Sequence, residues 1–543
     1  MKTTARSRWN NLQLHRSLYL QRAIDCSALT IPALIPQSDM NWGYTPENYN
    51  NLKSLHQGAG ATGVSGLSAK LLLALYPPAQ PFFRLTIDKA KLDEYVEQNQ
   101  VDPGEIQSQL DIALASIERQ MLLKLDDLNT RSALFEAVKH LIVGGNALLY
   151  VGEESVRMYS LRSYVVDRDP EGNISEIVVR EQVAEEHLPP GFDIRLAHWA
   201  TDVKGVDTKD DVNQKPYDLY TYVRVDADND RVDWHQEHDD KKIAKTAGFS
   251  RLSSSPWICL RMQSIAGESY GRSLVENVLG DLQSLESLSQ AIVEGSLIAA
   301  KTLFLVNPNG MTRADVIARA ENGAIVAGNA ADVEALQVQK NNDFSTALQT
   351  MQIIERRLNF AFLSNEAIQR NAERVTAEEI RVMSQQLDAG LAGAYSLLSS
   401  ELQLPLVKRI LALMERDGEI PPVPDGLISP QITTGVEAIG RGNDKARLTE
   451  FLQTIATALG PEQFLNFINP TELIRRFAAS DGIDIAGLVK SEQELQAEQA
   501  QAQQVNLEQQ LAQGAIQSGA AAPPEITPQP PVGAQQPQPT APV

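Results

Sequence analysis

Apolar residues recur at helical spacing through most of the first 140 residues, give way to short β-branched and aromatic runs between Asn146 and about Met262, and return to helical spacing from Ser273. A period that changes twice along one chain restricts it to segregated layers of helix and sheet, so the fold class expected is α+β, mainly helical. The strand candidates are NALLYV, VRMYSL, SYVVDRD, ISEIVVREQ, YDLYTYVRV, RVDWH and PWICLRM, separated by turn signals such as Asp169-Pro170-Glu171-Gly172-Asn173. Ahead of them, a loop is expected over Gln57 to Gly66, then the apolar Leu67 to Tyr76 and a stop at Pro77-Pro78.

The third region opens with a long helix expected over Ser273 to Ala300, roughly 40 Å at 1.5 Å per residue. Leu274, Val278, Leu282, Leu285, Leu288 and Ile292 share one face, and the only charges are Glu276, Asp281, Glu286 and Glu294, so its exposed side is expected to be acidic. Residues 301 to 343 carry the turn signals Asn307-Pro308-Asn309-Gly310 and Gly328-Asn329, and a second helix is expected over Phe344 to Leu363. After the polar Ser364 to Val375, Thr376 and Glu379 fit a capping box that starts another helix. Its stripe runs through Ile380, Met383, Leu387, Leu391 and Leu398 towards Met414, with Pro405 inside it. A proline there loses a hydrogen bond and costs roughly 3 kcal/mol, so a kink is expected. A last helical region spans about Asn443 to Gln517, and the Pro/Gln/Ala-rich end reads as a disordered tail.

With 543 residues the chain is several domains' worth of sequence. Its two cysteines, Cys26 and Cys259, make no C-x-x-C or His/Cys cluster, which points to buried thiols in a reducing compartment rather than a disulfide framework or zinc site. No stretch approaches the roughly 20 apolar residues of a membrane span, and the N-terminus lacks a signal-peptide core, so a soluble protein is expected. A formal charge of −21 argues against a generic nucleic-acid binder, because such proteins displace counterions from phosphates with Lys and Arg.

Several motifs imitate chemistry. Gly58 to Gly63 match G-x-G-x-x-G, but no buried strand precedes them, so a loop leading into a helix is the better reading than a dinucleotide site. There is no P-loop motif. Gly267-Glu268-Ser269-Tyr270-Gly271 matches the nucleophile elbow of a serine hydrolase, the main rival reading. All seven histidines precede Ser269, the reverse of that fold's order, so a turn feeding the next helix is expected. Asp226 to Glu237 mimic a calcium loop, yet Arg231 occupies the place that needs glycine, and a hairpin turn fits better. His235 and His238 lack the companions of a metal pair, so no metal site is expected.

A set of segments, in order, carries a family resemblance: Thr30-Ile31-Pro32-Ala33-Leu34-Ile35-Pro36, Leu67 to Pro77, Gly145 to Tyr150, and Gly267 to Ser273, followed by Arg374 to Arg381, Glu401 to Val407, and Thr434 to Gly442. Together they resemble portal proteins, the head-to-tail connectors of short-tailed, podovirus-type double-stranded DNA bacteriophages. The resemblance implies a non-enzymatic dodecameric ring in the virion, at the unique capsid vertex, assembled in the host cytoplasm and needing no cofactor. Double-stranded DNA would pass through it during packaging and ejection, with the terminase large subunit and tail adaptor proteins docking in turn, and major capsid and scaffold proteins contacting its edge. It further implies a wing (1–265), a stem helix (266–300), a clip (301–343), a second stem helix (344–363) and a tunnel loop (364–375). A kinked wing helix with its following segment (376–442), a helical crown (443–517) and the tail (518–543) complete it. Channel-facing candidates are Asp281, Glu286, Glu294, Gln369, Arg370 and Arg374, although the two arginines could instead pair with Glu366 or Glu373.

Overall fold

The computed structural model describes residues 4–36, 54–78, 81–87, 103–184, 187–192, 217–300, 303–321, 323–336, 341–363, 394–420, 428–432, 451–455 and 457. Gln369, Arg370, Arg374, the Thr376–Glu379 capping box and nearly all of the expected crown and tail lie outside them. The chain divides into two compact units, residues 1–439 and 440–543, and the few described residues of the second are helical.

The N-terminal helix α1 (Ala5–Ala28) starts where the Thr4 hydroxyl accepts the Ser7 N–H at 3.3 Å. It is followed by α2 (Ala59–Leu75), β1 (Phe83–Ile87), α3 (Pro103–Asp127) and α4 (Thr130–Gly144). The loop expected over Gln57–Gly66 is corrected here, because α2 already begins at Ala59. The strands β2 (Asn146–Val151), β3 (Val156–Tyr159), β4 (Tyr164–Arg168), β5 (Ile174–Val183), β6 (Tyr217–Asp226), β7 (Arg231–His238), β8 (Lys241–Lys242), β9 (Gly248–Arg251) and β10 (Trp257–Arg261) fill the middle of the chain. They form two antiparallel sheets, ordered β10-β2-β3 and β4-β5-β6-β7-β8, with β9 also on β7. The Asp226–Glu237 segment is the β6–β7 hairpin, with Asp226 paired to Arg231.

Beyond the sheets come α5 (Leu279–Ala300), β11 (Leu303–Val306), α6 (Ala314–Arg319), β12 (Val333–Leu336) and α7 (Asn341–Ala361). The helix expected from Ser273 begins as a 3₁₀ turn at Val275–Val278, and the second helix starts at Asn341 rather than Phe344. Next come α8 (Ala394–Leu398), a π-helical turn at Ser399–Gln403, α9 (Leu404–Arg416) and β13 (Ile428–Ile432), which pairs with β1. Pro405 has no N–H to return to Glu401, and the widened turn stands immediately before it. The described chain is mixed α and β, about half helical, rather than mainly helical.

One main core joins the helical part to the small sheet: Leu67 and Leu71 of α2, Leu134 and Leu141 of α4, Leu149 of β2, Leu260 of β10, Leu282 and Leu285 of α5, Leu358 of α7 and Leu406 of α9 are all buried in it. Each such side chain contributes roughly 1.5–3 kcal/mol of burial. Both cysteines are free and buried, and burial pushes the Cys26 thiol up to about 11.

Candidate functional site

Helices α5 and α7 form an antiparallel hairpin. Arg357 donates to Asp281 at 2.8 Å near its base, while the Phe344 ring lies against Gly295 near its far end, so residue numbers rise along one helix as they fall along the other. From Asp281 to Gly295 the paired length is about 21 Å. Strands β11 and β12 close the far end as a two-stranded ribbon. There the Asp332 carboxylate accepts the N–H groups of Met311 and Thr312 and the Thr312 hydroxyl, folding the Asn307–Thr312 turn around itself.

Burial falls along this hairpin. At its root Leu282, Leu285, Ile354 and Leu358 sit in the core, whereas from Gln290 to Leu297 of α5 and from Phe344 to Ile353 of α7 no side chain is buried. Val293 is 46% exposed and Leu297 62%, and on α7 Leu348 is 51% and Ile353 57% exposed. The hairpin therefore projects from the body with uncovered apolar groups on both helices.

The root is fixed by α2, and here the glycines of Gly58–Gly63 have their use. A Cβ at Gly60 would lie 2.6 Å from the Leu29 carbonyl oxygen and 3.2 Å from Leu282, and one at Gly63 would lie 2.5 Å from the Phe362 ring. Only glycine lets the start of α2 touch the end of α1, the base of α5 and the chain just after α7 at once. Gln57 ties the same junction, donating to the Leu29 carbonyl at 2.8 Å and accepting the Gly60 N–H at 3.0 Å. Lys70, lower on α2, donates to the Leu363 carbonyl at 2.6 Å, and burial lowers its pKa.

Glu286 belongs to this junction, which corrects its expected place on an exposed acidic face. It is 5% exposed, and its carboxylate accepts the backbone N–H groups of His56 and Gln57 at 3.1 and 3.3 Å, immediately ahead of α2. The His56 imidazole lies 3.3 Å from its other oxygen. A carboxylate beside a helix start is favoured by the unpaired N–H groups and the helix dipole. The expected acidic face shrinks further: Glu276 pairs with Arg272, and Asp281 with Arg357. Glu294 remains exposed, with Gln290 donating to it. Ser284 and Ser287 turn their hydroxyls back to the carbonyls of Gly280 and Gln283. With Gln283, Leu288, Thr350 and Ile354 they line a groove between the two helices.

The Gly267–Ser273 segment packs as a turn. Tyr270 is buried, accepts the Val166 N–H at 3.1 Å, and has its phenol pKa pushed up by burial. Asn146 holds Gly271 from both sides, accepting its N–H at 2.7 Å and donating to its carbonyl at 2.8 Å. Arg272 pairs with Glu268 at 2.7 Å, and the Ser273 hydroxyl accepts the Glu276 N–H at 2.9 Å, capping the 3₁₀ turn. In the π-turn, Glu401 accepts the Arg261 N–H at 3.0 Å and its Nε at 2.9 Å, and Gln403 donates to the Leu75 carbonyl. The resemblance-bearing segments around Asn146, Tyr270 and Glu401 thus meet at β10 and the base of the hairpin, where they lock backbone to backbone. Among the described residues no cluster of three or more His, Cys, Asp or Glu side chains could hold a metal, and no helix is long and apolar enough to cross a membrane.

A braced body that holds out an uncovered helical hairpin is the build of an assembly component. The family model "Bacteriophage head to tail connecting protein" matches residues 2–488, and the chain belongs to that family, as a structural, non-enzymatic portal protein of the virion's head-tail connection. It is 38% identical to the portal protein of Escherichia phage T7, over 92% of this chain and 90% of that one. Identity to the portal protein of Enterobacteria phage T3 is also 38%, over 95% and 94%. For Pseudomonas phage phiKMV it is 31%, over 96% and 98%.

Proposed function

We propose that twelve copies of this chain close into a ring at one capsid vertex, and that the bore of the ring is the channel for packaging and ejecting double-stranded DNA. The observation that carries this reading is the α5–α7 hairpin, an antiparallel pair that leaves its supporting core halfway along and has no covering of its own. In this reading residues 1–265 are the wing, the two hairpin helices the stem, 301–343 the clip, 364–375 the tunnel loop, 376–442 the kinked wing helix with its adjoining segment, and 443–517 the crown. The ring is the docking platform for the terminase large subunit during packaging and for tail adaptor proteins afterwards, while major capsid and scaffold proteins meet the wing. Since the sequence has no P-loop, the translocating force comes from such a partner.

Within the bore, Asp281 and Glu294 are the stem acids left to face DNA, and Gln369, Arg370 and Arg374 its contacts in the tunnel loop. Repulsion between carboxylates and phosphates acts only within about 8–10 Å at physiological salt, enough to keep a sliding duplex from adhering. Purified particles tested for DNA packaging with and without Arg370→Gln and Arg374→Gln check the loop. Reduced packaging or genome retention supports the contacts, and normal performance removes both arginines from the mechanism.

A further inference from the structure

We propose that Asn309 is a latent deamidation site that the Asp332 carboxylate keeps shut, an inference independent of the ring reading. The sequence has two Asn–Gly steps, Asn309–Gly310 and Asn322–Gly323. Such a step is chemically labile because the glycine nitrogen, unhindered by a side chain, can attack the side-chain carbonyl carbon of the asparagine. The new C–N bond closes a succinimide and expels the amide nitrogen as ammonia. Water then opens either ring carbonyl and leaves an aspartyl or an isoaspartyl residue, with no change in oxidation state.

Attack at Asn309 requires the Gly310 nitrogen to shed its proton and swing over the Asn309 side chain, and both events are opposed. Asn307-Pro308-Asn309-Gly310 form a tight turn in which the Gly310 N–H donates to the Asn307 carbonyl at 3.0 Å and the Asn309 N–H to the Asn307 side-chain oxygen at 3.0 Å. Just past Gly310, the N–H groups of Met311 and Thr312 donate to one Asp332 carboxylate oxygen at 2.9 and 3.2 Å. The Asp332 carbonyl accepts the Asn307 N–H at 2.8 Å, so one residue grips both ends of the turn. A Cβ at Gly310 would lie 2.4 Å from the Asp332 carboxylate carbon, which therefore fills the space over this glycine. There its negative charge also disfavours the anionic nitrogen that the attack needs. Gly323 has no such cover, since a Cβ there would meet nothing within 4 Å. Asn309 itself is exposed, so contacts rather than exclusion of water hold the step.

The reaction is one-way. Either product adds a negative charge next to the glycine that Asp332 covers, and the isoaspartyl form also lengthens the backbone by a methylene. A turn that opens long enough to react is thereby prevented from closing again, and the connection from β11 to α6 is altered for good.

The test incubates the full-length chain, its Asp332→Asn variant and its Asp332→Ala variant in mildly alkaline buffer and follows deamidation at Asn309 and Asn322 by peptide mapping with mass spectrometry. Asp332→Asn keeps the size of the side chain and an acceptor but removes the charge, whereas Asp332→Ala removes both. Asn309 is expected to convert slowest in the unaltered chain, faster in Asp332→Asn and fastest in Asp332→Ala. The last should exceed the first by about tenfold or more, because charged hydrogen bonds no longer oppose local opening. Asn322 is the internal reference, and its rate is expected to be the same in all three chains. Equal rates at Asn309 in the three chains overturn the clamp. So does a rise at Asn322 that matches the rise at Asn309, which is general loosening. Conversion of Asn309 in the folded, unaltered chain as fast as in the same chain unfolded by urea overturns the protection itself.

Discussion

Glu286 and Glu294 stand on the same helix, yet one is sealed against the backbone of residues 56 and 57 while the other faces solvent. The difference between them is the difference between the hairpin's root and its projecting half. In the body, polar groups act as struts: Glu286 on the start of α2, Asn146 on Gly271, Glu401 on Arg261. On the projecting length of α5, Glu294 holds only the Gln290 amide one turn back, and its energetic worth depends on what another molecule brings. Charge alone does not tell a strut from a surface, whereas burial and backbone partners do.

That contrast can be broken most forcefully at Glu401. Replacing it with alanine leaves the nearly buried Arg261 without its carboxylate, and the expected loss is about 3–5 kcal/mol, read as a lower midpoint in chemical denaturation. An unchanged midpoint would reduce the π-turn contact to an ordinary surface pair.

Acidification probes the body in a second way. His140 on α4 is buried, and burial lowers its pKa from 6.5 to about 4. Above pH 6.5 both folded and unfolded chains keep it neutral and stability is unaffected. As pH falls from 6.5 towards 4 the unfolded chain takes up the proton and the folded one does not, so up to about 3 kcal/mol is lost. Denaturation midpoints at pH 7.5 and pH 5 should therefore differ more for the unaltered chain than for His140→Gln, and equal differences would contradict the burial.

The carboxylate pair sharpens the comparison at the smaller end. Glu286→Ala should cost about 2 kcal/mol, the worth of a charged acceptor on buried N–H groups. Glu294→Gln should shift the midpoint of the isolated chain by less than about 0.5 kcal/mol. Equal effects would erase the distinction between root and projection.

Much of this was legible in the residues. The switch from helical to strand spacing at Asn146 located the sheets, and the stripe from Leu282 to Ile292 located α5. The inward turn of Glu286 had a signal too: it comes four positions after Leu282 and so falls on the apolar face, where a carboxylate needs partners. The charge count along the helix obscured it. Gly60 and Gly63 could be excluded from a dinucleotide site, but their close approach to Leu282 and Phe362 joins segments more than two hundred residues apart, and no local pattern encodes that. The same holds for Asn146 with Gly271 and Glu401 with Arg261, pairs whose partners are settled only once the sheet and helices have packed.

The most direct test is a density map of the assembled protein by electron cryomicroscopy. The account predicts twelve subunits around an open hole wide enough for a DNA duplex, with the hairpins formed by residues 279–300 and 341–361 flanking that hole. A solid centre, or hairpins pointing outward from the rim, would contradict it.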